Sequence, residues 1–173
     1  MHTKASIDCP LPTYVHPKWR NRRRSTVRFG FDLHGVVDTN PVGFRKMMAA
    51  LIASGCEVHI ITGATWERER PTLKRLRIPF THFFSITNHH MTIGTKVVWA
   101  DADNPHIDRH LWDETKAIYC KVHRMTMHFD DSDLYGLYFQ TPYIRFFAKD
   151  SDRILKMHIV PPKIKANCRK KKK

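Results

Sequence analysis

The chain has few cysteines, few acidic residues and no long apolar run. Its four cysteines have no C-x-x-C spacing, which argues against a disulfide framework or a cysteine-ligated zinc site. No apolar stretch reaches the roughly 20 residues that cross a bilayer, and the first residues contain no signal-peptide apolar region. We therefore expect a soluble, cytoplasmic protein without a membrane partner, and 173 residues suffice for one sizeable core.

Acidic residues are outnumbered, since 16 Asp and Glu face 30 Lys and Arg and leave a net charge of +14. Blocks of like charge repel one another and usually persist where they meet a polyanion. The alternative is plain solvated charge. We predict that a basic arm (residues 1–24) and a basic tail (residues 158–173) bind nucleic acid, through Lys18, Trp19, Arg20, Arg22, Arg23, Arg24, Arg169, Lys170 and Lys171. Trp19 is included because an indole can stack on a base.

Residues 27–38 are the most informative stretch of the chain. Val27, Phe29 and Phe31 are β-favouring residues at every second position, a pattern that is typical of a β-strand. Gly35 supplies the backbone freedom to leave that strand sharply, just past Asp32. The Asp32 carboxylate is therefore expected at the carboxyl end of a strand, where open α/β sheets bind their ligands. A plain turn residue is the alternative interpretation.

Further polar residues lie downstream in or after apolar segments, and we expect them at the same edge of the sheet as Asp32. They are Thr62 after the run 57–61, Lys116 near the start of a helix-like segment at 112–120, and Asp130 and Asp131 after the run 125–129. A helix-like segment at 42–52 lies between the first two strands. We predict an α/β domain over residues 25–157, with a doubly wound, mainly parallel sheet and helices on both faces.

This ordered set resembles the four motifs of the haloacid dehalogenase-like (HAD) phosphohydrolase superfamily, over about residues 25–148. The resemblance implies a Mg²⁺-dependent phosphomonoesterase in which Asp32 forms an aspartyl phosphate. Thr62 would bind the phosphoryl group, and Lys116 would hold nucleophile and phosphate together. Mg²⁺ would be held by Asp32, the backbone carbonyl of His34, and Asp130 or Asp131. Carboxylate and carbonyl oxygens are the donors that Mg²⁺ prefers.

The first motif departs from the superfamily at His34, where the usual residue is a second Asp that serves as general acid and base. An imidazole has an ordinary pKa of about 6.5 and can do this work at neutral pH. We therefore expect His34 to act as the acid and base. The alternative is a catalytically degenerate scaffold that binds nucleic acid or serves a structural role.

The spacing of the motifs leaves no room for a large cap domain. Only a short flap fits between Asp38 and the helix near Pro41, and only a small insertion fits between residues 76 and 112. A site without a large cap cannot enclose a small metabolite by domain closure. We therefore expect a phosphorylated substrate of some bulk, such as a nucleic-acid end or a nucleotide.

The remaining patterns are weaker. Residues 82–87 and 143–147 are typical of strands, and residues 132–138 are compatible with a helix. The chain has 12 histidines without convincing zinc-site spacing. We expect surface or loop positions for His82, His89, His90, His106 and His110. His128 is expected to be a packed core residue.

Overall fold

The computed structural model describes residues 10–20, 27–101 and 104–146. The predicted tail (158–173) lies outside these ranges, as does part of the predicted arm (1–24). Six of the proposed nucleic-acid contacts lie outside the described residues, namely Arg22, Arg23, Arg24, Arg169, Lys170 and Lys171. None of the helices in the described ranges has the length and apolar character needed to cross a bilayer.

Strands and helices alternate along the chain. In order they are β1 (Tyr14–Val15), β2 (Arg28–Phe31), α1 (Pro41–Ala53), β3 (Glu57–Thr62), α2 (Trp66–Leu76), β4 (His82–Ser85), α3 (Ile86–Thr92), β5 (Val98–Asp101), β6 (Asn104–His106), α4 (Arg109–Val122), β7 (Met127–Asp130), α5 (Asp133–Gly136) and β8 (Tyr143–Arg145). Short 3₁₀ turns occupy Pro17–Trp19 and Val37–Thr39.

Six of the strands form one sheet in the order β1-β4-β3-β2-β7-β8. Strands β4, β3, β2, β7 and β8 run parallel, and the short β1 pairs antiparallel with β4. This confirms the prediction of an α/β fold with a mainly parallel sheet. Because β2 lies between β3 and β7, the carboxyl ends of these three strands meet at one edge. Thr62 and Asp130 end their strands there, and Asp32 directly follows β2.

Both faces of the sheet are covered by helices, as the alternation of side chains along the strands shows. On one face, Ile60 and Phe83 pack in a core with Met48 of α1 and Leu73 of α2. On the other face, the next residue of each strand joins a second core. This second core contains Ile61, Phe84, Ile86, Tyr119 and Cys120, and the last two of these belong to α4.

Two predicted elements differ from the structure because of helix caps. The strand predicted to run through Thr87 ends at Ser85. The Ser85 hydroxyl accepts from the Asn88 N–H at 3.0 Å, and this cap starts helix α3. Lys116 was expected near a helix start, but it lies in the middle of α4. That helix begins earlier because the Asp108 carboxylate caps it by accepting from the His110 N–H at 3.0 Å.

The expected small insertion is a two-stranded hairpin, and the histidines around it divide into two groups. Among the described strands, β5 and β6 pair only with each other. His106 and His110 are exposed, as predicted. The prediction of surface or loop positions was wrong for His89 and His90, which are buried in α3. His90 lies 2.8 Å from the Thr115 hydroxyl, so packing of α3 on α4 buries it.

The absence of a side chain at Gly30 leaves space in the centre of the sheet for the imidazole of His128. A Cβ at this position would lie 2.7 Å from Nδ1 of His128 and 2.8 Å from Cδ1 of Ile61. His128 is fully buried, which confirms that it is a packed core residue. Gly30 therefore sets how closely β7 and β3 side chains pack over β2.

Replacing Gly30 by Ala should destabilise the fold, because the methyl group would overlap the buried His128 ring and Cδ1 of Ile61. We expect the free energy of unfolding, measured by urea denaturation, to fall by about 1–3 kcal/mol. Gly136→Ala is the matched control, since its nearest neighbour is an ordinary 3.4 Å contact with Tyr143. Equal stabilities of Gly30→Ala and Gly136→Ala would contradict this picture of the core.

Candidate active site

Lys116 lies between two carboxylates at the carboxyl edge of the sheet. Its Nζ is 2.7 Å from Oδ2 of Asp32 and 2.7 Å from Oδ2 of Asp130. The lysine is only 1% exposed. A buried ammonium is costly unless it is paired and hydrogen-bonded, and here two anions meet that requirement. The ammonium group of Lys116, on helix α4, thus lies at the carboxyl ends of β2 and β7.

The charges of Lys116, Asp130 and Asp32 shift one another's pKa values. Burial disfavours the Lys116 ammonium, but Asp32 and Asp130 outweigh that effect and raise its pKa. Burial also opposes the charge of Asp130, yet Lys116 and His128 outweigh it and hold the pKa of Asp130 below its usual range. Burial raises the pKa of Asp32 to about 6 against the pull of Lys116, and the charge of Asp130 adds to the rise. Above that pH, both carboxylates are anionic.

A third carboxylate completes an acidic group beside Lys116. Carboxylate oxygens of Asp32, Asp130 and Asp131 lie within 4.8 Å of one another. Gly35 has a φ of +74°, and a Cβ there would collide with the Asp131 carboxylate, so only glycine fits this turn. Oxygen donors of this kind are chemically suited to Mg²⁺ and less suited to softer metals.

His34 faces carboxylates at both ring nitrogens. Its Nε2 lies 3.0 Å from Oε1 of Glu69, and its Nδ1 lies 3.1 Å from Oδ2 of Asp38. An imidazolium can donate at both nitrogens, so this pair of carboxylate partners favours the charged ring. The hydrogen bond to Glu69 is the main cause that raises the pKa of His34 to about 9, although partial burial opposes the charge.

Glu69 and Asp38 are partners that the sequence analysis missed. Glu69 is 1% exposed within α2, and its Oε1 lies 3.6 Å from Nε of Arg68. In the sequence it alternates with arginines, which suggests a solvated helix face. Asp38 also accepts from the Gly35 N–H at 2.8 Å, so it holds the turn that presents His34.

Thr62 and Asp32 line one cavity of about 430 Å³. Thr62 is 1% exposed at the end of β3. The cavity brings four of the predicted residues together, namely Asp32, His34, Thr62 and Lys116, and its other walls include Arg68, His106, Trp112 and Tyr135. Asp130 and Asp131 adjoin it through the contacts described above. A cavity of several hundred Å³ is the usual size for a small-molecule site.

An aromatic wall closes one side of this cavity. The Trp112 indole N–H donates to the Tyr135 hydroxyl at 2.6 Å, and the Tyr135 ring centroid lies 4.7 Å from Nζ of Lys116. Gly63 leaves space for the Trp112 ring, which a Cβ would overlap. The sequence pattern did not identify Trp112 or Tyr135 as site residues, because their roles depend on the docking of α5 against α4.

The predicted contacts of the basic arm lie elsewhere. Trp19 and Arg20 line a different cavity, together with Arg28 and Glu57, which begin β2 and β3. That is the amino edge of the sheet, opposite Asp32. Lys18 lies in the same 3₁₀ turn as Trp19. The described part of the arm therefore does not surround the mouth of the Asp32 cavity, whereas Arg68 lines it.

Comparisons of the chain with protein-family models, curated proteins and solved structures found no match. The side chains around Asp32 are therefore the basis for proposing a function.

In metal-free protein, His34 should titrate near pH 9, and Glu69→Gln should lower this value. A raised pKa means that the folded state binds the proton more tightly. The associated stability is therefore complete below the unfolded value of about 6.5 and is lost as the pH rises through the folded value. NMR of the imidazole carbons measures the titration. Glu67→Gln is the matched control, since Glu67 is exposed on the same helix. A titration unchanged by Glu69→Gln would rule out this pairing.

Proposed function

We propose that this protein is a Mg²⁺-dependent phosphomonoesterase of the HAD type, acting through an aspartyl phosphate on Asp32. The observation that carries the proposal is the Lys116 ammonium 2.7 Å from both Asp32 and Asp130. The HAD resemblance assigns those same residues to the nucleophile, the phosphate-holding lysine and the metal site. Thr62, which the resemblance assigns to phosphoryl binding, lines the same cavity.

In the first step, a carboxylate oxygen of Asp32 attacks phosphorus and the bond to the ester oxygen breaks. His34 gives a proton to the leaving oxygen, which departs as an alcohol. The imidazolium form described above is the one that can donate. Asp32 needs to be ionised for the attack, which its pKa of about 6 permits at neutral pH.

In the second step, water attacks the phosphorus of the aspartyl phosphate. His34 is now neutral, and it accepts the proton of that water. Inorganic phosphate leaves, the Asp32 carboxylate is restored and His34 is again an imidazolium. Both ring nitrogens face carboxylates in the structure, so one contact has to open for His34 to exchange a proton with the substrate. The 3.1 Å contact of Nδ1 with the more exposed Asp38 would open, while the buried Glu69 would hold Nε2 at 3.0 Å in both steps.

The remaining site residues balance charge on the transferring phosphoryl group. Lys116, the Thr62 hydroxyl and Arg68 offer donors within the cavity, and donors placed where negative charge develops lower the barrier. Asp32, Asp130, Asp131 and the His34 carbonyl would hold Mg²⁺. When bound, the ion would neutralise charge on the phosphoryl oxygens and orient them for in-line attack.

The mouth of the site favours a bulky, anionic substrate. The insertion between α3 and α4 is a hairpin of two short strands rather than a cap domain. Helix α2 begins next to the cavity, and its exposed residues include Arg70, Lys74 and Arg75. A phosphate carried on nucleic acid or a nucleotide would meet this positive surface. This charged helix also supports a second candidate function, binding of nucleic acid without turnover.

Asp32→Asn should abolish Mg²⁺-dependent hydrolysis of a generic aryl phosphate, because the amide cannot form the covalent intermediate. Asp108→Asn is the control, since Asn caps a helix as well as Asp does, and it should leave the rate unchanged. Release of the coloured phenol measures both. Equal activity of wild type and Asp32→Asn would contradict the proposed role of Asp32 as the nucleophile. An inert wild type that still binds Mg²⁺ would favour the scaffold without turnover.

Replacing Lys74 and Arg75 by Gln should weaken binding of a 5′-phosphorylated single-stranded oligonucleotide. We expect the slope of log K against log salt to flatten by up to about 1.4, since each lost phosphate contact contributes about 0.7. The control is Lys46→Gln with Lys121→Gln, which removes the same charge from α1 and α4. Fluorescence anisotropy across a salt series measures the slopes. Equal slopes for the two double variants would show that α2 does not contact the polyanion. Aryl phosphate hydrolysis should be unchanged in both.

A further inference from the structure

A second cavity, of about 220 Å³, lies at the amino edge of the sheet. Glu57 begins β3, His82 begins β4, and His59 lies two residues into β3. One potential ligand atom from each of these three residues lies within 4.8 Å of the other two. We propose that Glu57, His59 and His82 form a binding site for a transition-metal ion of the Zn²⁺ class, separate from the Mg²⁺ site proposed at the opposite edge.

The donor set fits zinc better than magnesium. Two imidazoles and one carboxylate form a common three-residue zinc set that leaves the fourth position open, whereas Mg²⁺ prefers oxygen. Zinc binds the neutral imidazole. Burial lowers the pKa of His59 to about 3, despite the nearby Glu57 carboxylate. At neutral pH the His59 ring is therefore already in the neutral form that zinc binds.

Neighbouring hydroxyls orient both rings. The Tyr119 hydroxyl lies 2.8 Å from Nδ1 of His59, and the Thr81 hydroxyl lies 2.8 Å from Nδ1 of His82. These contacts make Nε2 of each ring the nitrogen that would face the ion. Metal-bound histidines are usually held in this way, through a hydrogen bond at the other ring nitrogen. Arg28 orients the Glu57 carboxylate, since the Arg28 Nε donates to Oε2 of Glu57 at 2.9 Å.

The site has to contract when the ion binds. Zinc–nitrogen bonds of about 2.1 Å place neighbouring ligand atoms of a tetrahedral shell about 3.4 Å apart. The His59 and His82 rings are stacked, with centroids 4.2 Å apart and planes 9° from parallel, so one ring has to tilt for both nitrogens to point at one ion. His82 is the ring that can turn, because it is only partly buried.

Both arginines that line this cavity are engaged by protein groups, and the Nε of Arg20 donates to the Val15 carbonyl at 3.4 Å. Glu57 is 4% exposed, and an anion would face its carboxylate. Arg28 is already engaged by Glu57 and by the His123 carbonyl at 2.7 Å. Because Arg28 offsets the charge of Glu57, the two imidazoles supply much of the binding. Pro12, Val15, Trp19 and Arg20 also line the cavity, so a bound ion would lie between the sheet and residues 12–20.

The test is a calorimetric titration of the full chain, without a polyhistidine tag, with ZnCl₂ in a large excess of Mg²⁺. We expect one Zn²⁺ per chain from this site. His82→Gln and Glu57→Gln should weaken binding at least about tenfold, given that even residues that only support ligands contribute 10- to 100-fold. The matched controls His110→Gln and Glu67→Gln, both at exposed positions, should bind as wild type does.

Zinc binding that is absent from wild type, or unchanged in His82→Gln, would overturn the site. Binding of inorganic phosphate that His82→Gln removes, in place of zinc binding, would also overturn it. Circular dichroism checks the fold of each variant, and His82→Gln decides the question if Glu57→Gln fails to fold. The outcome is independent of the proposed phosphatase, because Mg²⁺-dependent aryl phosphate hydrolysis by His82→Gln should equal that of wild type.

Discussion

The ion triad of Asp32, Lys116 and Asp130 is the constraint on which the rest of the structure depends. Removing one partner of a buried charge group typically costs about 3–5 kcal/mol, because the remaining charge is left unpaired. The triad joins the end of β2, the middle of α4 and the end of β7. Its geometry therefore fixes how α4 docks on the sheet, and with it the positions of Trp112 and Tyr135 in the cavity wall.

Local patterns in the sequence predict much of the fold. The apolar runs that end at Phe31, Thr62 and Phe129 are strands, and they are parallel neighbours. Their polar ends meet because parallel strands share one carboxyl edge. Helix starts were harder to predict, since α3 depends on one cap by Ser85 that competes with the β-propensity of Ile86 and Thr87.

Apart from Asp38, which is four residues from His34, the parts of the candidate site that could not be predicted depend on contacts between distant residues. Glu69 is charged and sits among arginines, so nothing local indicates that packing buries it against His34. Glu57 and His59 are close together on β3, but His82 is distant in the chain and meets them because β3 pairs with β4, with His59 opposite His82. Hydrophobic periodicity indicates which face of a strand a residue occupies, but not which charged side chain the neighbouring strand brings to it.

The two outermost strands of the described sheet are its shortest. Strand β1 has two residues and β8 has three. Exposed strand edges present unpaired backbone groups that can recruit a strand from another molecule, and short edge strands limit this hazard. The central strands, rich in buried Ile, Val and Phe, are shielded on both sides by these short elements. The described sheet is thus poorly suited to grow by edge-to-edge association, and this should protect the protein from aggregation at high concentration.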